Sequence, residues 1–382
     1  MKRMAVGSCL FVCALLAFSS TAVAKTYKPN KRNDHAQNGC SKADCTLREA
    51  ITAANARSGL DKVVLRGGKT YKLAIPGRND DTNATGDLDV NDSLKLSSSN
   101  AKLATVDAKR VDRVLSTSAS AAKTSFIRLR IRGGNPGGSS GGGGFIANGG
   151  TVKIVGCEIS GNRSNHAAGL ETGGGTGTIL KITGTTISGN RAAGGGTGGV
   201  GIFDTNTATL TNVTITKNTA KGDAGGIEAG GTVNLNAVTI ARNKADSDAD
   251  GVGRGGGIDA LDSGVYHVKN SLIALNTIGA PSPTSFGPNC HEDLPGAVVS
   301  GGHNLVGDVA GCMGFGASGD RTGRSTGQVG IAKLAGNGGP TKTIALKAGS
   351  QAIDHAGSSA PSKDQRGHKR GSKPDIGAYE RG

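Results

Sequence analysis

Five stretches of the chain end alike, in an apolar run, an Ile, two variable residues and an Asn. They are KIVGCEISGN ending at Asn162, KITGTTISGN at Asn190, TLTNVTITKN at Asn218, NLNAVTIARN at Asn243 and HVKNSLIALN at Asn276. The asparagines lie 28, 28, 25 and 33 residues apart, and a weaker sixth copy, FIRLRIRGGN, ends at Asn135. Self-similarity at this period means stacked supersecondary units. A second element recurs between them, Gly-rich and closing on an apolar residue: Phe145, Leu170, Ile202, Ile227 and Ile258. Each unit thus holds at least two short strands and Gly-rich corners, the grammar of one β-helix coil. The expected fold is all-β, a single-stranded parallel β-helix, with a short N-terminal capping helix and a C-terminal cap.

Stacking aligns like residues into ladders. One inward ladder is expected at Ile131, Ile159, Ile187, Ile215, Ile240 and Ile273, and a second at Phe145, Leu170, Ile202, Ile227 and Ile258. The Asn column is placed at a corner, where left-handed backbone and stacked amides suit Asn. A leucine-rich horseshoe is disfavoured because the units lack a helical stretch. The 65 glycines follow no three-residue period, which excludes collagen.

The first 24 residues read as a secretory signal: Lys2 and Arg3, an apolar run from Cys9 to Phe18, and a small-residue site at Ala22-Val23-Ala24. The run is too short to span a bilayer, and no later segment approaches the ~20 apolar residues required. A secreted protein, periplasmic or extracellular, is expected after cleavage near Ala24. The formal charge of +15 falls to +13 without Lys2 and Arg3, a balance that favours acidic polysaccharide or a cell-surface polymer. With 3% aromatics and no Trp, a base-stacking platform is lacking, so no specific nucleic acid is expected. A monomer is expected.

In an exported chain, Cys40 with Cys45 and Cys290 with Cys312 read as disulfides, the longer stabilising by up to ~3 kcal/mol. Cys157 is left over and aligns with Thr185, Val213, Val238 and Ser271, as a small buried residue would. Residues 25–39 read as an exposed basic tail. In CTLREAITAANA, Thr46 and Glu49 form a capping box, and Leu47, Ala50, Ile51 and Ala54 share one helical face. A capping segment is therefore placed at 40–60, the β-helix at 61–335 with its clearest repeats at 124–278, and a C-terminal cap at 336–382.

Cys45-Thr46-Leu47-Arg48-Glu49-Ala50-Ile51 resembles the opening of exported bacterial proteins named for a CSLREA segment. Gly339-Pro340-Thr341, Ala352-Ile353-Asp354, Asp364-Gln365-Arg366-Gly367 and Asp375-Ile376-Gly377-Ala378-Tyr379-Glu380 resemble the C-terminal segment called choice-of-anchor, type Q. The resemblance spans most of residues 40–380 and implies a right-handed parallel β-helix and export, without implying a reaction. Such chains often continue into an anchoring tail. This one stops two residues after Glu380, so release is expected.

Chemistry is expected in an acidic column after the second ladder: Glu171, Asp204, Glu228 and Asp259. Alternation turns these side chains outward, and coils stand about 4.8 Å apart. Neighbouring carboxylates would repel by ~3.5 kcal/mol at an effective dielectric of 20, and less in solvent, so the column should attract a cation or basic side chains. Calcium at Glu228 and Asp259 would suit hard oxygen ligands, as in lyases of acidic polysaccharides on this fold. Carboxylates two coils apart, at ~9.6 Å, stand at the limit for an inverting glycosidase. The plainest reading is a solvated stripe offset by Arg163, Arg191, Lys221, Arg242, Lys244 and Arg254. Of these, Arg163, Arg191, Arg242 and Arg254 are the candidate ligand-binding residues. The histidines show no HExxH spacing, the aspartates at 80–92 lack EF-hand order, and no GxSxG or P-loop is present. Binding of a polyanionic glycan without catalysis is the leading expectation. A lyase or hydrolase working through the acidic column is the runner-up.

Overall fold

The computed structural model describes residues 23–78, 80–138, 141–174, 177–280 and 287–382. The expected signal sequence lies outside them apart from residues 23 and 24. Residues 61–306 wind as a right-handed coil whose walls are parallel sheets. Sheet A has ten strands, from Thr26–Tyr27 to Val298–Ser300. Sheet B has nine, from Thr70–Lys72 to Leu305–Val306, and sheet C has eight, from Leu88–Val90 to Cys290–Glu292. Two-residue strands from Arg163–Ser164 to Thr277–Ile278 form a narrow sheet D.

The repeated Ile is inward, as its period requires. Ile131, Ile159, Ile187, Ile215, Ile240 and Ile273 pair in register and continue to Val106 and Val306. All are fully buried. Cys157 lies in the same interior, and burial pushes its thiol up to about 12, so it is an inert packing residue.

After each sheet B strand comes the asparagine. The Asn162 amide nitrogen donates to Asn190 Oδ1 at 3.0 Å, Asn190 to Asn218 at 2.9 Å, Asn218 to Asn243 at 3.0 Å, Asn243 to Asn276 at 3.0 Å, and Asn276 to Asn289 at 3.2 Å. Each backbone N–H of the series donates to the same neighbouring oxygen. One expectation is corrected here. The left-handed residue is the one before the Asn (Gly161, Gly189, Lys217, Arg242 and Leu275), because the Asn must turn its amide inward. Asn135 is outside the ladder: Gly134 takes that place, its N–H donating to Asn162 Oδ1.

Helix α1, Leu47–Asn55, closes the N-terminal end with the expected capping box and buried face. Residues 25–39 are not a free tail. Tyr27 is buried in sheet A, and Asp34 pairs with buried Arg48 at 2.8 Å. Arg48 also donates to the carbonyls of Thr85, Gly86 and Asp87, so one guanidinium ties three chain segments together.

The C-terminal segment does not cap the end. It lies along the outer face of sheet B. Gln365 donates to Thr186 Oγ1 and accepts from Thr214 Oγ1, and Thr239 Oγ1 accepts from the Ala378 N–H. These are the threonines of the repeated TIS, TIT and TIA strands, whose outward hydroxyls need partners once covered. Within the segment Arg366 pairs with Asp364 and Arg370 with Glu380. Asp375 instead accepts the Asp354 and Arg381 N–H groups. The last coil is closed by residues 311–321, which pair with Glu292, Ser300, His303 and Asn304. The Cys290–Cys312 disulfide ties that segment down, and Cys40–Cys45 is the second.

Asn218→Ala removes the acceptor for two Asn190 donors and the donor to Ile187 O. We expect a loss of about 3 kcal/mol or more in denaturant unfolding, at 1–3 kcal/mol for each stranded buried group. Asn135→Ala should stay within about 0.5 kcal/mol. Equal effects would refute the ladder.

Candidate functional site

The middle outward position of sheet C reads Asp89, Ser116, Ile146, Glu171, Gly201, Glu228, Asp259 and His291. Asp204 is therefore not in the column; it sits in the following turn with φ +54°. The VGI segment offers two inward residues, and register places Val200 with Leu170 and Ile227, while Ile202 faces Ala229. A Cβ at Gly201 would lie 2.7 Å from the Phe203 ring, which would have to shift to admit one. Glu171 is thus separated from Glu228 by an intervening coil. Burial raises the Glu171 carboxyl above its ordinary value, against the pull of His166.

At the C-terminal end the column becomes a pocket of charge. Oxygen atoms of Asp223, Glu228 and Asp259 come within 4.8 Å of one another. Arg254 lies among them, its Nε 3.6 Å from Asp223 and 3.5 Å from Asp259, and Nη1 2.8 Å from Asp293. His291 Nδ1 is 2.7 Å from Asp259 Oδ1. The Glu228 carboxyl makes no hydrogen bond or ion pair among the described residues. Burial, then the Asp259 and Asp223 charges, push its carboxyl up to about 8. Burial and Asp259 likewise raise Asp223. Burial works against the Arg254 charge, but the surrounding carboxylates outweigh it and hold the guanidinium above its ordinary value.

Three carboxylates converging on one point fit a hard cation in donor type. Arg254 already supplies positive charge to two of them. The expected outward stripe is closed as well: Asp259 has no exposed surface and Glu228 only 6%. The segment leading into the strand folds back so tightly that a Cβ at Gly255 would lie 2.8 Å from Asp259 Cβ. A polymer lying on sheet C would not touch Asp259. It would meet Arg254, His291 and Asp293 in the adjoining depression of about 600 Å³.

The four arginines scatter. Arg254 belongs to this pocket. Arg242 instead donates to the carbonyls of Ile331 and Ala332 and anchors the C-terminal segment. Arg163 and Arg191 sit side by side on sheet D. Asp223, His291 and Asp293 were not among the expected site residues. The signal for His291 was Cys290 in the inward place of Ile258, which sets His291 beside Asp259. A second acid group lies at the opposite end of sheet C. There burial pushes Asp87 up to about 7 against Arg113, and Asp89 up to about 6 against its bond from Ser116.

Sheet A presents the opposite charge. Its outward positions include Lys62, Lys95, Lys123, Lys153, Lys181 and Lys269, and no carboxylate. Lys62 pairs with Lys95, and Lys153 with Lys181. The Lys181 column continues through Thr209, Asn234 and His267. There a depression of about 400 Å³ opens, lined also by Thr211, Asn236 and Lys269. Exposed Val155, Ile179 and Val299 lie on the same face.

No family model matches the chain, and no curated protein sequence does. Among solved structures, the crystal structure of pectate lyase Pel9A matches with a TM-score of 0.54 at 15% identity. The match covers 95% of this chain and 98% of that one. At such identity the likeness establishes the right-handed parallel β-helix alone.

Glu228 supplies a pH test. Its folded value of about 8 stands above the ordinary 4.5, so between those values the unfolded chain ionises while the folded one stays protonated. Stability is full below pH 4.5 and falls as pH rises to about 8. Glu228→Gln should therefore stabilise progressively from pH 4.5 to 8, by up to roughly 3 kcal/mol at pH 7. Thermal unfolding of both proteins across that range checks this. A gain independent of pH would contradict it.

Proposed function

We propose that the protein binds a polyanionic glycan outside the cytoplasm, through the outer face of sheet A. The observation that carries this reading is six outward lysines on a sheet face without a single carboxylate. Unmatched lysines on a broad β face cost self-repulsion that an anionic polymer relieves by releasing counterions. The strand spacing of about 4.8 Å presents a new row of side chains at each coil, so an extended chain along the solenoid axis would meet them in succession. Thr209, Asn234 and His267 offer hydroxyl, amide and imidazole groups to sugar hydroxyls, and exposed Val155 and Ile179 offer apolar surface to sugar C–H faces.

Two disulfides suit an oxidising compartment, and no helix among the described residues is long and apolar enough to cross a membrane. The name of pectate lyase Pel9A points to a polyanionic polysaccharide on this fold. In this reading the chain acts as a monomer.

A second reading is catalytic: a lyase or hydrolase of acidic polysaccharide at Glu228 and Asp259, aided by calcium. The unpartnered Glu228 carboxyl favours it, and the closure over Asp259 opposes it. Calcium-dependent release of unsaturated product or reducing ends, abolished by EDTA and by Asp259→Asn, would establish it in place of the binding reading.

Lys153→Ala/Lys181→Ala should weaken retention on polygalacturonate at least tenfold at low salt and flatten its salt dependence, with thermal unfolding unchanged. Isothermal titration at 50 and 200 mM NaCl measures both. Retention that ignores salt and these substitutions would overturn the sheet A assignment.

A further inference from the structure

Away from both sheets A and C, Arg163 and Arg191 occupy one column of sheet D on adjacent coils. Both side chains are exposed, and neither forms an ion pair among the described residues. Their strands stand about 4.8 Å apart, so two guanidiniums rise from neighbouring stems with no carboxylate between them. A third cation lies close by. Arg110 is anchored through its Nη1 to Gly134 O at 3.0 Å. Burial, then the Arg163 charge, lowers its affinity for a proton, with Asp107 opposing. Of the nearby acids, Asp107 pairs with Arg132, and Asp248 pairs with Lys221 while also attracting Arg191. Asn135, Gly137, Asn165 and Ala193 complete, with the two arginines, a cup of about 400 Å³.

We propose that this cup binds a tetrahedral oxyanion, the phosphate or sulfate ester group of a glycan, between the Arg163 and Arg191 guanidiniums. A carboxylate presents both its oxygens in one plane to a fork of N–H donors, whereas a tetrahedral group carries further oxygens out of that plane to face a second fork. A phosphate monoester also carries nearly two charges at neutral pH and so neutralises both arginines. Asn135 adds a neutral amide at the rim, where Asn165 Nδ2 donates to Gly138 O. The two arginines are held in register by the β-helix itself, because each directly follows a ladder asparagine, Asn162 and Asn190. The cup shares no residue with the lysine face, so either site can exist without the other.

Calorimetric titration of the full mature chain with inorganic phosphate, sulfate and acetate at pH 7.5 tests this. Phosphate and sulfate should bind at least tenfold more tightly than acetate. Arg163→Gln and Arg191→Gln should each weaken phosphate at least tenfold, and the double substitution should abolish binding. Arg128→Gln, at an exposed corner elsewhere, should change nothing. Because inorganic phosphate takes up its second proton across this range and sulfate does not, phosphate affinity should fall between pH 7.5 and 5.5 while sulfate affinity holds. Preference for phosphate would point to a phosphorylated polymer, and preference for sulfate to a sulfated glycan. Acetate binding equal to phosphate, or binding unaltered in the double variant with unchanged thermal unfolding, would overturn the proposal. Lys153→Ala/Lys181→Ala should leave it intact, which separates this result from the sheet A reading.

Discussion

Each ladder asparagine bonds its coil to the one before and the one after. Asn190 donates through its side chain to Ile159 O and Asn218 Oδ1, and its own Oδ1 accepts from Asn162. The amides are buried, so no water competes, and losing any partner would strand a donor at 1–3 kcal/mol. That constraint holds the preceding residue left-handed even where it is Lys217, Arg242 or Leu275, residues that disfavour the conformation. With the turn fixed, the repeated Ile falls inward and the residue before it outward, as Thr186, Thr214 and Thr239 do. Sheet register then follows, and with it every column on the outer faces.

Those columns have three different fates. The threonines of sheet B are covered by the C-terminal segment, whose Gln365 bridges two coils. On sheet C, outward acids are buried by the Gly-rich segments that fold back over them, and Arg254 and His291 offset only part of the charge. On sheet A, Lys62, Lys123, Lys153 and Lys181 stay exposed among the described residues. One repeat thereby generates a structural seam, a closed charged pocket and an open cationic face, distinguished by what packs above each.

The Ile ladder, the capping box of α1 and both cysteine pairs were legible because each rests on a local period or a short spacing. The acidic column was legible only in part. Glu171, Glu228 and Asp259 follow a recognisable apolar residue, whereas VGIF contains two candidates for the inward place and drew Asp204 in wrongly. His291 was hidden because Cys290 does not resemble the isoleucine it replaces. Asp223 and Asp293 reach the pocket from segments with no period at all.

The sequence by itself determined the coil: apolar residues at strand spacing, Asn at each turn and Gly at the corners admit one stacked arrangement with a buried amide row. Which outward residues meet water was decided by tertiary structure alone. Exposure depends on segments distant in sequence. Residues 341–378 cross sheet B some 150 residues after the strands they cover, and the backbone around Gly255 seals Asp259. A period records which way a side chain points. It carries no record of what later folds across it, and that determines whether a carboxylate is solvated or forced to keep its proton.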